Sequence, residues 1–267
     1  MEAKKACKKT PICAVSATRN CMRRKFPAPR QQAGFSLLEL SIVLVITGII
    51  LSGLVSGVDA QLEQRDRRQT RQQLEEIKQA LLGFAVAKGR LPCPDVSAPP
   101  NGEEDPCAGA GAIATGVLPY STLGTGQFDA WQRNFAYGVT VGFADTTIDT
   151  PLPPGASCIP PFGRSAPPPP GVSFELCAQG SFDICTVSVP PVCPTFVAQA
   201  IPAVVISHGR NGGLAPTTPD ELENQDGDDV AVDKAYSSNP AQPFDDLVEF
   251  ISANELMYIM LAGGVFR

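Results

Sequence analysis

The chain has 267 residues, with 21 Lys and Arg against 27 Asp and Glu, nine cysteines, 26 prolines, 24 glycines and one histidine. A net charge of −6 with 18% charged residues excludes a globally basic nucleic-acid binder, and 43% hydrophobic content excludes a wholly disordered chain. The mild total hides an asymmetry, because residues 1–34 carry nine basic groups and one acid, a charge of +8, which leaves −14 for the rest. Cys7, Cys13 and Cys21 lie in that basic segment, whereas Cys93, Cys107, Cys158, Cys177, Cys185 and Cys193 lie downstream, an even number that can pair completely. Both splits point to a chain whose two ends occupy different compartments.

Between them, residues 35–58 read FSLLELSIVLVITGIILSGLVSGV, 24 residues with one charge, Glu39. As a helix rising about 1.5 Å per residue, this covers a bilayer core of roughly 30 Å with some tilt. The basic excess upstream predicts a cytoplasmic N-terminus and an exported remainder, where disulfides are permitted. The run is too long for the roughly 7–15-residue core of a secretory signal and lacks an A-x-A-like site after it. An ordinary anchor leaves Glu39 unexplained, since a carboxylate at depth costs about 2.5–3.5 kcal/mol and is kept where it has a partner.

Gly34-Phe35-Ser36-Leu37-Leu38-Glu39, after a basic leader and before an apolar helix, resembles the type IV prepilin signature. The resemblance implies cleavage between Gly34 and Phe35 by a prepilin peptidase and N-methylation of Phe35. It also implies that Glu39, the fifth mature residue, meets the N-terminal amine of a neighbouring subunit when anchor helices bundle. At 34 residues the leader is long for the family, and Met22 offers an alternative start with a basic thirteen-residue leader.

Beyond Val58 no helix breaker occurs before Gly89, so the helix is predicted to continue to about Lys88. Leu74, Ile77, Leu81, Phe84 and Ala85, with Ala80 beside them, repeat at the spacing of one buried face. Lys88, Gly89 and Pro92 form a stop signal. Arg65, Arg67, Arg68 and Arg71 read as a solvated face paired locally with Glu63, Asp66, Glu75 and Glu76, rather than a patch for nucleic acid or lipid headgroups.

From Leu91 the chain turns to Pro, Gly and short β-like runs. Strands are predicted at Phe135–Phe143, Val172–Ala178, Phe182–Val189, Phe196–Ser207 and Leu247–Ser252. Residues 150–171, with Pro167 to Pro170 in a row, read as an irregular loop of polyproline character. Cys93 and Cys107 flank a turn-rich loop and are expected to bond to each other. The other four exported cysteines allow three connectivities that spacing leaves open, with a preference for Cys177–Cys193 and Cys158–Cys185. A zinc site is disfavoured, because no C-x2-C pair is present and His208 is the one imidazole.

The runs GRLPCPD, LPYSTLG, DAWQRNFAYGV, VVISHGRNGG and FDDLVEF are similar to stretches of bacterial pseudopilins and minor pilins. In related major pseudopilins a DxWG-type turn leads into a strand, and an SxGxDG turn precedes a calcium-binding acidic segment. Here Gln132 stands where the first pattern has Gly, and Asn211 where the second has Asp. The resemblance makes calcium a candidate ligand of Asp226, Asp228, Asp229, Asp245 and Asp246. The EF-hand spacing is not met, and a solvated acidic loop is the alternative.

No G-x-S-x-G elbow, phosphate loop or HExxH is present, so no catalytic residue is assigned and His208 reads as a turn histidine. Residues 91–267 hold five basic and 20 acidic groups, a poor surface for nucleic acid. The expectation is an α+β, type IV pilin-like protein. It has a leader (1–34), a transmembrane helix (35–58) and an amphipathic stalk helix (59–90) packed on the antiparallel sheet of a disulfide-stabilised head (91–267).

The resemblance implies a structural subunit without enzymatic activity: a pseudopilin, minor by the size of its head, of a type II secretion pseudopilus. Glu39 argues against the tip subunit, which lacks that acid. The runner-up is a minor pilin of a type IV pilus serving adhesion, motility or priming, ahead of a DNA-uptake pilin or a hydrolase. Implied partners are other pilin-like subunits, the peptidase and an inner-membrane assembly platform. The head would face the periplasm.

Overall fold

A computed structural model describes residues 36–107, 112–144, 171–174, 178–188, 193–214 and 218–265, with no account of the side chains of residues 51–58 and 60. The leader, Met22, Gly34, Phe35, Cys158, Cys177 and residues 150–170 of the Pro-rich loop lie outside the described residues. Two units are distinguished, residues 1–53 and 54–267.

Helix α1 runs from Leu37 to Lys88, 52 residues without a break. It stops where the sequence predicts: Gly89 adopts φ +72° and its N–H donates to Ala85 O at 2.8 Å. A Cβ at Gly89 would lie 1.8 Å from Gly171 O, so only glycine satisfies both the left-handed turn and the close approach.

The head contains β1 (Ile113–Val117), α2 (Tyr120–Leu123), β2 (Ala136–Thr140), β3 (Phe182–Cys185), β4 (Phe196–Ile201), β5 (Ala203–Ser207), α3 (Pro219–Asp226), β6 (Val230–Val232), β7 (Leu247–Ile251) and α4 (Ala253–Ala262). A four-stranded antiparallel sheet has the order β1-β2-β5-β7. A second sheet, β4-β3-β6, is mixed, because β6 runs parallel to β3.

The four-stranded sheet is the middle layer. On one face Tyr137, Val139, Ala203, Val205 and Ile251 share a core with Leu74, Ile77, Leu81, Leu82 and Ala85 of α1 and with Leu256, Met257 and Met260 of α4. On the other, Val204 and Ile206 pack with Phe182, Ile184, Ile201 and Ala231 of the second sheet. All five residues of β5 are therefore buried, the alternating side chains serving two cores. Lys78 ties α1 to β7 and α4 through Glu249 at 3.0 Å and Glu255 at 3.1 Å.

Four expectations are corrected. The run Phe196–Ser207 is two strands in two sheets, split at Pro202, which lacks an N–H, beside Ala200 at φ +55°. Of Val172–Ala178, the described residues form no strand, and Phe174 instead meets Phe143 with ring centroids 4.5 Å apart.

Cys185 bonds to Cys193, which rules out both preferred pairings of those residues, since the β3–β4 hairpin brings their Cα atoms within 5.7 Å. The expected Cys93–Cys107 bond is present, and Arg90 braces its loop through a two-pronged contact with Glu104 at 2.8 Å. Finally, Arg67 is not solvated. Only 8% exposed, it extends the buried face of α1 by two turns together with Thr70, donates to Asp245 O at 3.0 Å and stacks 4.3 Å from the Tyr236 ring centroid.

Candidate functional site

At the start of α1, Ser36 occupies the N-cap position and its Oγ accepts the N–H of Glu39 at 3.1 Å. Glu39 is thus the third helical residue of an S-x-x-E capping pattern, and its carboxylate sits where the helix dipole favours negative charge. This local role exists without any neighbouring subunit.

The side chains from Leu37 to Ile50 are exposed, Leu37 at 89% and Ile49 at 68%. The hydroxyls among them are satisfied inside the helix, Ser41 donating to Leu38 O at 2.7 Å and Thr47 to Val43 O at 2.8 Å. An apolar surface with no outward-facing donor left free is what hydrocarbon or another apolar helix requires. Among the described residues no helix is long and apolar enough to cross a membrane. Within the expected span, residues 35–58, side chains are described from Ser36 to Ile50.

Two turns of the head are latched together at the far end of the middle sheet. Asp129 is 1% exposed. Its Oδ1 accepts the N–H groups of Trp131 and Arg133, both at 2.9 Å, and its Oδ2 accepts the Ser207 hydroxyl at 2.7 Å. Gln132 has φ +64°, which explains why the related pattern carries Gly there. Gly209, at φ +57°, lets the second turn press on Asp245, whose backbone O would be 2.6 Å from a Cβ.

The five acids proposed for calcium are not brought together. Asp226 and Asp228 form a group with Glu223, their carboxylate oxygens within 4.8 Å of one another. Asp229 is exposed beside them. Asp245 and Asp246 are buried elsewhere, held by Asn211 N–H at 3.0 Å and Asn224 Nδ2 at 2.7 Å. Around the second pair, Asp245 Oδ1, Asp246 Oδ1, Glu221 Oε2 and Glu63 Oε1 are buried and accept no hydrogen bond. Burial, opposed by the Asn224 hydrogen bond but reinforced by the charges of Asp245 and Glu221, pushes the Asp246 carboxyl up to about 7. Burial also raises Asp245, although the Asn211 N–H pulls the other way.

Among the described residues the three acids whose ligand oxygens converge are Glu223, Asp226 and Asp228, so of the five acids named for calcium only Asp226 and Asp228 lie in a cluster able to hold a hard cation, while Asp245 and Asp246 lie apart from it beside Arg67. The Asn211 amide donates to Glu221 Oε1 at 2.8 Å, where an Asp would set a further carboxylate against Glu221.

Sequence reasoning gave Ser36 no capping role, read Glu63 and Arg67 as a solvated pair, and left Glu221 and Glu223 undistinguished within the acidic run 220–233. The S-x-x-E pattern was available for the first, and Thr218-Pro219-Asp220-Glu221 is a helix-start signal that places Glu221 on α3, where Thr218 Oγ1 accepts the Glu221 N–H. Searches of curated proteins and of solved structures return no match. Residues 29–55 match the prokaryotic N-terminal methylation motif, so the chain carries a type IV pilin-like N-terminal signature, which in general implies processing by a prepilin peptidase and assembly with other pilin subunits.

Proposed function

We propose that this chain is a structural subunit, a minor pseudopilin of a type II secretion pseudopilus, anchored in the bacterial inner membrane with its head in the periplasm. The carrying observation is the apolar, internally satisfied surface of α1 from Leu37 to Ile50, which begins two residues after the cleavage point expected at Gly34 and lies within the methylation motif. Such a surface is stable when covered by lipid and then by the helices of neighbouring subunits. The basic leader and the Cys93–Cys107 and Cys185–Cys193 bonds support the orientation.

A structural rather than hydrolytic role is supported by His208. Burial and the nearby Arg133 charge lower it to about 4, and no hydrogen bond joins it to a serine or cysteine among the described residues. The acidic head argues likewise against DNA binding.

Mass spectrometry of the mature protein tests the processing: an N-methylated Phe35 terminus is expected, and an intact leader in a peptidase-competent host overturns it. Glu39→Ala is expected to leave cleavage intact and to reduce co-purification with other pilin-like subunits. A minor pilin of a type IV pilus would use the same anchor, and gene deletion separates the two readings. Loss of exported enzymes from the medium with surface pili retained supports the pseudopilus, and the reverse result supports the pilus.

A further inference from the structure

We propose that the cavity between the four-stranded sheet and the β6–α3 segment binds a small organic cation, an ammonium group carried on an apolar stem. The cavity has a volume of about 250 Å³. That is below the usual range for drug-sized ligands, about 300–1,000 Å³, and suits a molecule of roughly ten heavy atoms. Its inner wall is apolar, made by Phe182, Val204, Ile206 and Ala231. Its other side is α3 and the turn after it, with Glu223 and Asp228 in the lining.

The carboxylates have a sign and no counter-ion. Glu223, Asp226 and Asp228 lie within 4.8 Å of one another, and no lysine or arginine pairs with them among the described residues. Lys234, in the strand-end segment nearby, is taken by Asp220. Hydrogen bonds hold the acids in place: Ser188 Oγ donates to Glu223 at 2.7 Å, Asp228 N–H to Asp226 at 3.2 Å and Val230 N–H to Asp228 at 2.8 Å.

On the inner side, His208 lines the cavity, and its buried Nδ1 has no hydrogen-bond partner. An ammonium at the carboxylates with its stem against Phe182 and Val204 satisfies both halves of the cavity. A bare metal ion would leave the apolar half empty, and a neutral apolar molecule would leave the charge uncompensated. The inference stands whichever filament the chain serves.

The test uses the full chain in dodecyl maltoside, titrated with phenethylammonium chloride, with its neutral isostere 2-phenylethanol, and with calcium chloride alone, followed by calorimetry and by methyl shifts of Val204 and Ile206. The amine should bind roughly fivefold more tightly than the alcohol, the discrimination expected of a partly exposed ion pair. Glu223→Gln with Asp228→Asn, changes on the wet side of the cavity, should remove that preference while leaving the melting temperature within a few degrees. Equal binding of amine and alcohol, shifts away from the lining, an unaltered preference in the double variant, or calcium alone reproducing the shifts while the amine gives none would each overturn the proposal.

Discussion

The first and last parts of α1 are the same secondary structure under opposite rules. From Leu37 to Ile50 the helix is self-contained: Ser36 caps it, its hydroxyls bond within it, and its apolar side chains are exposed. From Arg67 to Ala85 one face is buried at Arg67, Thr70, Leu74, Ile77, Leu81 and Ala85, and its polar groups find partners far along the chain, Arg67 at Asp245 and Thr70 at Ala130, as does the neighbouring Lys78 at Glu249. The contrast teaches that a helix built for assembly keeps its polar accounts local, while a helix built into a core exchanges them with the sheet it covers.

The largest break in that contrast is Leu81→Ala. Leu81 is 0% exposed, and its truncation should cost about 3–5 kcal/mol of head stability in urea unfolding, whereas Leu44→Ala should leave it unchanged. Arg67→Ala comes next, at about 3 kcal/mol by the same assay. It removes the cation beside Asp245 and Asp246 and leaves buried carboxylates facing one another. A cost near zero would mean that Arg67 belongs to the solvated face after all.

Smaller again is the pH dependence. The folded-state pKa of Asp246 is raised to about 7, so the proton favours the folded form: the stabilising contribution is complete below the ordinary carboxylate range and is lost as pH rises through 7. His208, lowered to about 4, acts in the opposite sense, its contribution present above 6.5 and lost as pH falls toward 4. The chain should therefore gain about 1 kcal/mol from pH 8 to 6.5 and little below that. Asp246→Asn should flatten the rise, which thermal melts at pH 8 and 6.5 read directly. The smallest effect belongs to Gln132→Gly, which should stabilise by about 0.5–1 kcal/mol because glycine accepts φ +64° without strain.

Periodicity and local chemistry made α1, its stop at Gly89, the Cys93–Cys107 loop and the strand cores at 136–140, 182–185 and 247–251 legible, because these depend on neighbours in sequence. Two helices were legible and overlooked: Thr218 and Ser252 each accept the N–H three residues on, at Glu221 and Glu255. Strand β6 was not legible. It is three residues inside an acidic run, and its partner β3 is parallel and distant. The candidate sites divide in the same way, for Gly34, Phe35 and Glu39 are read from adjacent residues, whereas the grouping of Glu223 with Asp226 and Asp228, and of Glu221 with Asp245 and Asp246, required the chain to be folded.

By itself, then, the sequence determined a helix that needs an apolar environment, a stalk face that needs a sheet, and an acidic, cysteine-paired head, since each follows from composition, short-range geometry and hydrophobic spacing. Only the tertiary structure decided which acids share a site, that Arg67 is buried among them, and that Cys185 takes Cys193. Those outcomes depend on which strands pair across long loops, and the composition of the loops carries no record of that pairing.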